Sequence, residues 1–119
     1  MNAHGYEDLA GVLQRALNQA AHGKGKDRHA RHNEPFCGQV MLEGARRFGT
    51  GALLYQAYKK AEESQRLPTE RAVAELLGAI VYLAGAVIVI EEQAETERLV
   101  GEQPKTFEAA GREFEDGAH

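Results

Sequence analysis

Cysteine occurs once in the 119 residues, as Cys37, and proline three times. A single thiol excludes an internal disulfide and fits a reducing compartment. Met1 to Gly11 has neither a basic start nor an apolar core, so no signal peptide is expected and the chain is assigned to the cytoplasm. Internal repeats and low-complexity runs are missing too. No Gly-Lys-Ser/Thr follows a spaced glycine, which excludes the Walker phosphate loop. His29-x-x-His32 with Cys37 offers metal-ligand types, but one cysteine at loose spacing falls short of a zinc signature.

What the chain does have is an uneven charge. The net charge is −4. Residues 1–90 hold 11 Lys/Arg against 9 Asp/Glu (+2), and residues 91–119 hold 3 against 9 (−6). A mildly basic body and an acidic tail make direct DNA binding a poor fit, since the tail repels phosphate. The length suits one domain, taken as residues 1–100, with 101–119 an acidic tail, partly disordered or a short helix over Thr106–Phe114.

The longest feature is a helix from Thr69 to roughly Arg98. Its middle, Leu76 to Ile90, carries no charge and no proline. That run of 15 falls short of the roughly 20 apolar residues a bilayer needs, and Glu75, Glu91 and Glu92 close its ends. A helix apolar on every side is surrounded on every side. Small residues recur at heptad spacing, Ala72, Ala79 and Ala86 on one line and Gly78 and Gly85 beside it. Two glycines on one face point to close approach by another helix. That helix belongs either to the same bundle or, in the reading favoured for so short a chain, to a second copy.

Around this rod the other segments read as helices. Tyr6, Leu9, Ala10, Leu13, Ala16, Leu17 and Ala20 form one apolar stripe from about Gly5 to Ala21. Pro35 opens a second helix with Phe36, Val40, Met41, Gly44, Ala45 and Phe48 inward, ended by Gly49-Thr50-Gly51. A third runs from Ala52 to about Gln65, capped by Thr50, with Leu53, Leu54, Ala57, Tyr58 and Ala61 inward and Lys59, Lys60, Glu62, Glu63 and Arg66 outward. Leu67-Pro68 stops it, and Thr69 is placed to cap the return. The fold class is therefore all-α: a helical bundle built on an antiparallel helical hairpin, expected to be oligomeric.

Between the first two helices lies His22 to Asn33, where Lys24, Lys26, Arg28 and Arg31 crowd with three histidines and two glycines. It reads as a solvated basic loop or as an anion cradle, because backbone N–H groups with Lys and Arg bind phosphate through charge-assisted hydrogen bonds. No nucleophile has a base at hand, and the carboxylates suggest one constellation only: Glu62-Glu63 with Glu75. There the chain resembles, over residues 62–78, the all-α nucleotide pyrophosphatases of the MazG type, which hold Mg²⁺ with a Glu-Glu pair and a Glu-x-x-Asp. Glu75-Leu76-Leu77-Gly78 has glycine at the aspartate position, and losing one carboxylate from so small a ligand set cripples a magnesium site. Glu75, set against the apolar run, needs a donor: Arg71 one turn back, or a basic side chain of a neighbouring protomer.

A second resemblance covers roughly Lys24 to Ile90. A basic, glycine-containing approach leads to a hairpin whose turn carries Thr69-Glu70-Arg71, followed by an Ala/Leu-rich helix. In this it is similar to phage anti-CBASS and Thoeris anti-defence hairpin proteins, although that family typically has Ser-Arg-Glu at the turn. The resemblance implies a homo-oligomeric, non-catalytic protein of the host bacterial cytoplasm, needing no cofactor or metal and making no membrane contact. It would sequester a cyclic oligonucleotide or a cyclic ADP-ribose-like signal. It points to Tyr6 as the base-stacking ring and Lys24 or Lys26 as the phosphate contact. Arg28, Arg66 and Arg71 complete the expected ligand set, with Tyr55 or Tyr58 as further rings. Two other readings stand beside it: inhibition of a partner protein through the acidic C-terminal region, and a degenerate pyrophosphatase.

Overall fold

Gly5, at φ +86°, takes a backbone conformation that favours glycine, and its N–H donates to Glu7 Oε2 at 2.9 Å. Helix α1 (Glu7–His22) starts there, with Glu7 and Asp8 in the first turn and His22 in the last, the charge order that the helix dipole favours. The computed structural model describes residues 4–22 and 35–101. The basic segment 23–34, with Lys24, Lys26, Arg28, His29 and His32, lies outside the described residues, as do Met1–Ala3 and the acidic stretch 102–119. Among the described residues the chain is all-α, without a strand.

Pro35 opens a single 3-10 turn, Phe36–Gly38, rather than the second helix itself. Gln39 then resets the backbone, and its carbonyl accepts from Leu42 and Glu43 at the start of α2 (Val40–Phe48). Gly49, at φ +98°, ends α2 while its N–H donates to Ala45 O at 2.8 Å. Helix α3 (Gly51–Ser64) follows directly. Thr50 does not cap it with its hydroxyl: the residue is already helical, and only its carbonyl is used, by Leu53 and Leu54. At the far end Gln65 and Arg66 donate to Glu62 O and Glu63 O, and Pro68 prevents α3 from continuing. Helix α4 spans Thr69–Gly101, 33 residues. Pro68 supplies the first capping carbonyl, to Ala72 N, so Thr69 sits inside the first turn instead of capping it.

The core joins α2, α3 and α4. Leu42, Ala45, Leu53, Ala57, Ala79, Tyr82, Ala86 and Val89 are buried together, with Phe36, Met41 and Ile88 against them. On α3 the inward line is Leu53, Ala57, Lys60 and Ser64, while Leu54, Tyr58 and Ala61, expected inside, are exposed. Lys60 finds its partner across the interface in Glu75, and the Ser64 hydroxyl donates to Ala61 O of its own helix at 2.6 Å. On α2, Leu42 is inward, whereas Val40 and Phe48 are out, Phe48 by 86%. Along α1 the buried residue is Ala16, and Tyr6, Leu9 and Leu17 are exposed. Gln19 Nε2 ties α1 to α4 by donating to Ala74 O at 3.0 Å.

Gly78 and Gly85 face the chain's own helices, not a second copy. A Cβ at Gly85 would lie 3.3 Å from Leu42 Cδ1 and 3.5 Å from Leu53 Cδ1; at Gly78 it would lie 3.2 Å from Lys60 Cδ and Cε. Lys60 against Gly78 and Leu53 against Gly85 mean that α3 and α4 run in opposite directions. Nor is α4 wrapped all round: Leu76, Leu83, Val87 and Ile90 are exposed, as is every residue from Glu91 to Val100. By length and composition α4 is apolar enough to cross a membrane, with an 18-residue window of mean hydropathy 2.4, a third of it buried in the protein. The 15-residue run alone understates its reach.

Candidate functional site

Where α3 turns into α4, a cavity of about 580 Å³ opens between both helices, α1 and the 3-10 turn. Its size falls in the range of small-molecule sites. One wall is apolar and aromatic: Phe36, Met41, Val81 and Tyr82. A charged wall is supplied by Lys60 and Glu63 on α3, Arg66 in the turn, and Arg71 and Glu75 on α4. Gln19 and Gln39 supply amides at the edges.

Lys60 is the centre of this wall. Its Nζ reaches both oxygens of Glu75 at 3.4 Å, with the two side chains only 12% and 28% exposed. The same ammonium stands 6.0 Å from the centroid of the Tyr82 ring, the outer limit of a cation–π contact. Gly78 makes this possible, because any side chain there would press on the Lys60 stem. The donor that Glu75 requires therefore comes from α3 of the same chain, not from Arg71. Lys60, expected on the solvent side, is drawn in by that carboxylate.

Arg66 pairs on the outside with Glu62, one turn back, at 2.8 Å. Arg71 makes no hydrogen bond or ion pair among the described residues. The lining holds three cations (Lys60, Arg66, Arg71) and two carboxylates (Glu63, Glu75), and Glu62, bound to Arg66, brings the balance to zero. A pocket with a guanidinium that makes no bond among the described residues, Arg71, beside aromatic side chains can take an anion joined to a flat ring.

Of the site residues read from sequence, Arg66 and Arg71 do meet on one cavity. Tyr6 does not join them: it is 61% exposed and sits 13 residues before Gln19, roughly 20 Å along α1 at 1.5 Å per residue. Tyr55 and Tyr58 are exposed on α3 and do not line the cavity. Lys24, Lys26 and Arg28 lie outside the described residues. Sequence reading missed Lys60, Tyr82 and Phe36. The spacing Leu53, Ala57, Lys60, Ser64 was the available signal for Lys60, since it is as good a helical line as the one chosen.

Glu63 and Glu75 share the cavity, but Glu62 turns away to Arg66. Among the described residues no group of three or more His, Cys, Asp or Glu is placed to hold a metal. A second ion pair braces the other end of the molecule. Arg46 donates to Glu92 at 2.8 Å and to the carbonyl of Cys37 at 2.7 Å. This hydrogen bond holds the Glu92 carboxyl below its ordinary range and raises the Arg46 guanidinium further. No protein-family model, curated protein or solved structure matches the chain.

Proposed function

We propose that this chain is a non-catalytic binding protein whose cavity takes a phosphorylated small molecule. The observation that carries this reading is that Arg66, in the α3–α4 turn, and Arg71, in the first turn of α4, line one cavity with Phe36 and Tyr82. The guanidiniums would hold the phosphate through charge-assisted bonds, while the apolar wall would take a base or sugar face. Cyclic oligonucleotides and cyclic ADP-ribose-like signals have this composition. Capturing one in a bacterial cytoplasm would blunt a nucleotide-triggered defence, the role of the phage hairpin proteins that the sequence resembles.

Lys60 speaks against pyrophosphatase chemistry. Its ammonium already engages both oxygens of Glu75 and lies against Gly78, so a divalent cation brought to this carboxylate would meet a positive charge. A protein-interaction role draws support from a different feature, the bare helical run Glu91–Val100 with Glu91, Glu92, Glu95 and Glu97.

A thermal-shift panel separates these readings. Melting should rise by several degrees with a cyclic dinucleotide or cyclic ADP-ribose, because ligand at a hundredfold its dissociation constant adds about 2.7 kcal/mol. Arg71→Ala should abolish the rise while leaving the unliganded melting temperature in place. A shift only with Mg²⁺ and a nucleoside triphosphate, or none with any nucleotide, would overturn the proposal.

A further inference from the structure

One face of α4 closes the chain's own core, and the opposite face is apolar and bare. Leu76, Leu83, Val87 and Ile90 are 43%, 47%, 54% and 53% exposed. Together with half-buried Val73 and Ile80 and exposed Ala94 they fall at alternating steps of three and four. That is the a/d repeat of a coiled-coil seam over three heptads, roughly 32 Å of helix at 1.5 Å per residue. Val73, Ile80, Val87 and Ala94 take a positions; Leu76, Leu83 and Ile90 take d.

We propose that this seam docks a second copy of the same chain, the two α4 helices running antiparallel. Charge selects the direction. A parallel pair would set Glu97, at a d position, against Glu97 of the other copy, with Glu91, at e, on the flank, and like charges at an interface are costly. An antiparallel pair separates these residues and brings Arg98, at an e position and paired in its own helix with Glu95, toward Glu70, at an e position of the other copy. The cavity residues on α4 (Arg71, Ala74, Glu75, Gly78, Val81, Tyr82) occupy b, c and f positions, away from the seam. The inference therefore stands or falls separately from the ligand reading.

Sedimentation of the full chain, without nucleotide, tests it. The wild type should sediment at twice the chain mass in the micromolar range, and Leu83→Lys should weaken the dimer by at least about a hundredfold through like-charge contact near the axis, with helical content unchanged by circular dichroism. In a Cys37→Ser background, Leu76→Cys mixed with Ala94→Cys should form a cross-linked pair on oxidation, and neither alone should. A monomeric wild type, a Leu83→Lys protein of unchanged mass, self-cross-linking of either variant alone, or a wild type that associates only with phosphatidylcholine vesicles would each overturn it.

Discussion

Helix α4 has two apolar faces of opposite character. Toward α2 and α3 it presents small residues and one ring: Ala79, Tyr82, Gly85, Ala86, and Val89, which is wholly buried. On the other side it presents branched aliphatic residues, Leu76, Leu83, Val87 and Ile90, largely exposed. Small side chains let α3 and α2 come close enough for Leu42 and Leu53 to fill the space above Gly85. Large ones on the far side have nothing of the described chain to fill. Close packing inside one chain and the proposed docking of another copy make different demands on one helix, and residue size sorts the two faces.

The largest expected effect lies on the small-residue face. Leu42 is fully buried against Gly85, so Leu42→Ala should cost about 2–5 kcal/mol in urea unfolding. A loss near zero would mean that α2 is not docked on α4.

A subtler contrast uses the two glycines. Gly85→Ala brings a methyl to 3.3 Å from buried Leu42 Cδ1 and into contact with buried Leu53; overpacking of this kind costs about 1–3 kcal/mol, offset in part by about 1 kcal/mol of helix propensity. Net destabilisation is expected. Gly78→Ala meets only the flexible stem of Lys60, so propensity and the disturbed Lys60–Glu75 pair should roughly cancel. Equal effects at the two sites would erase the distinction between a rigid and a yielding neighbour.

The smallest effect concerns the Arg46–Glu92 pair, which holds α2 to the exposed end of α4. Glu92 has a lowered folded pKa, so its contribution is present above the ordinary glutamate value of about 4.3 and is lost as pH falls through the lowered one. The stability difference between wild type and Glu92→Gln should accordingly be visible at neutral pH and vanish as pH falls through the lowered Glu92 pKa. A difference that stayed constant with pH would remove the charge from the explanation.

Helix type and the stops between helices are legible in the sequence because local chemistry decides them: Pro68 after α3, Gly49 after α2, and the uncharged run of α4. Which way each helix faces is not, because facing depends on partners far along the chain. Lys60 turns inward only because Glu75 and Gly78 lie opposite, 15 and 18 residues on. Arg46 finds Glu92 at a separation of 46 residues. The same ambiguity misplaced the purpose of the small-residue line, since sequence spacing shows that a close neighbour exists without showing whose. Of the candidate site, Arg66 and Arg71 were named through the resemblance, whereas Phe36 was read as a packing residue and Tyr82 lay within the apolar run of α4.

Thiol labelling at two positions of α4 tests the two-faced helix most directly. In a Cys37→Ser background, Ala86→Cys should resist labelling at every protein concentration, while Leu83→Cys should label fast when dilute and slowly when concentrated. Rapid labelling at position 86, or a rate at 83 indifferent to concentration, would contradict the account.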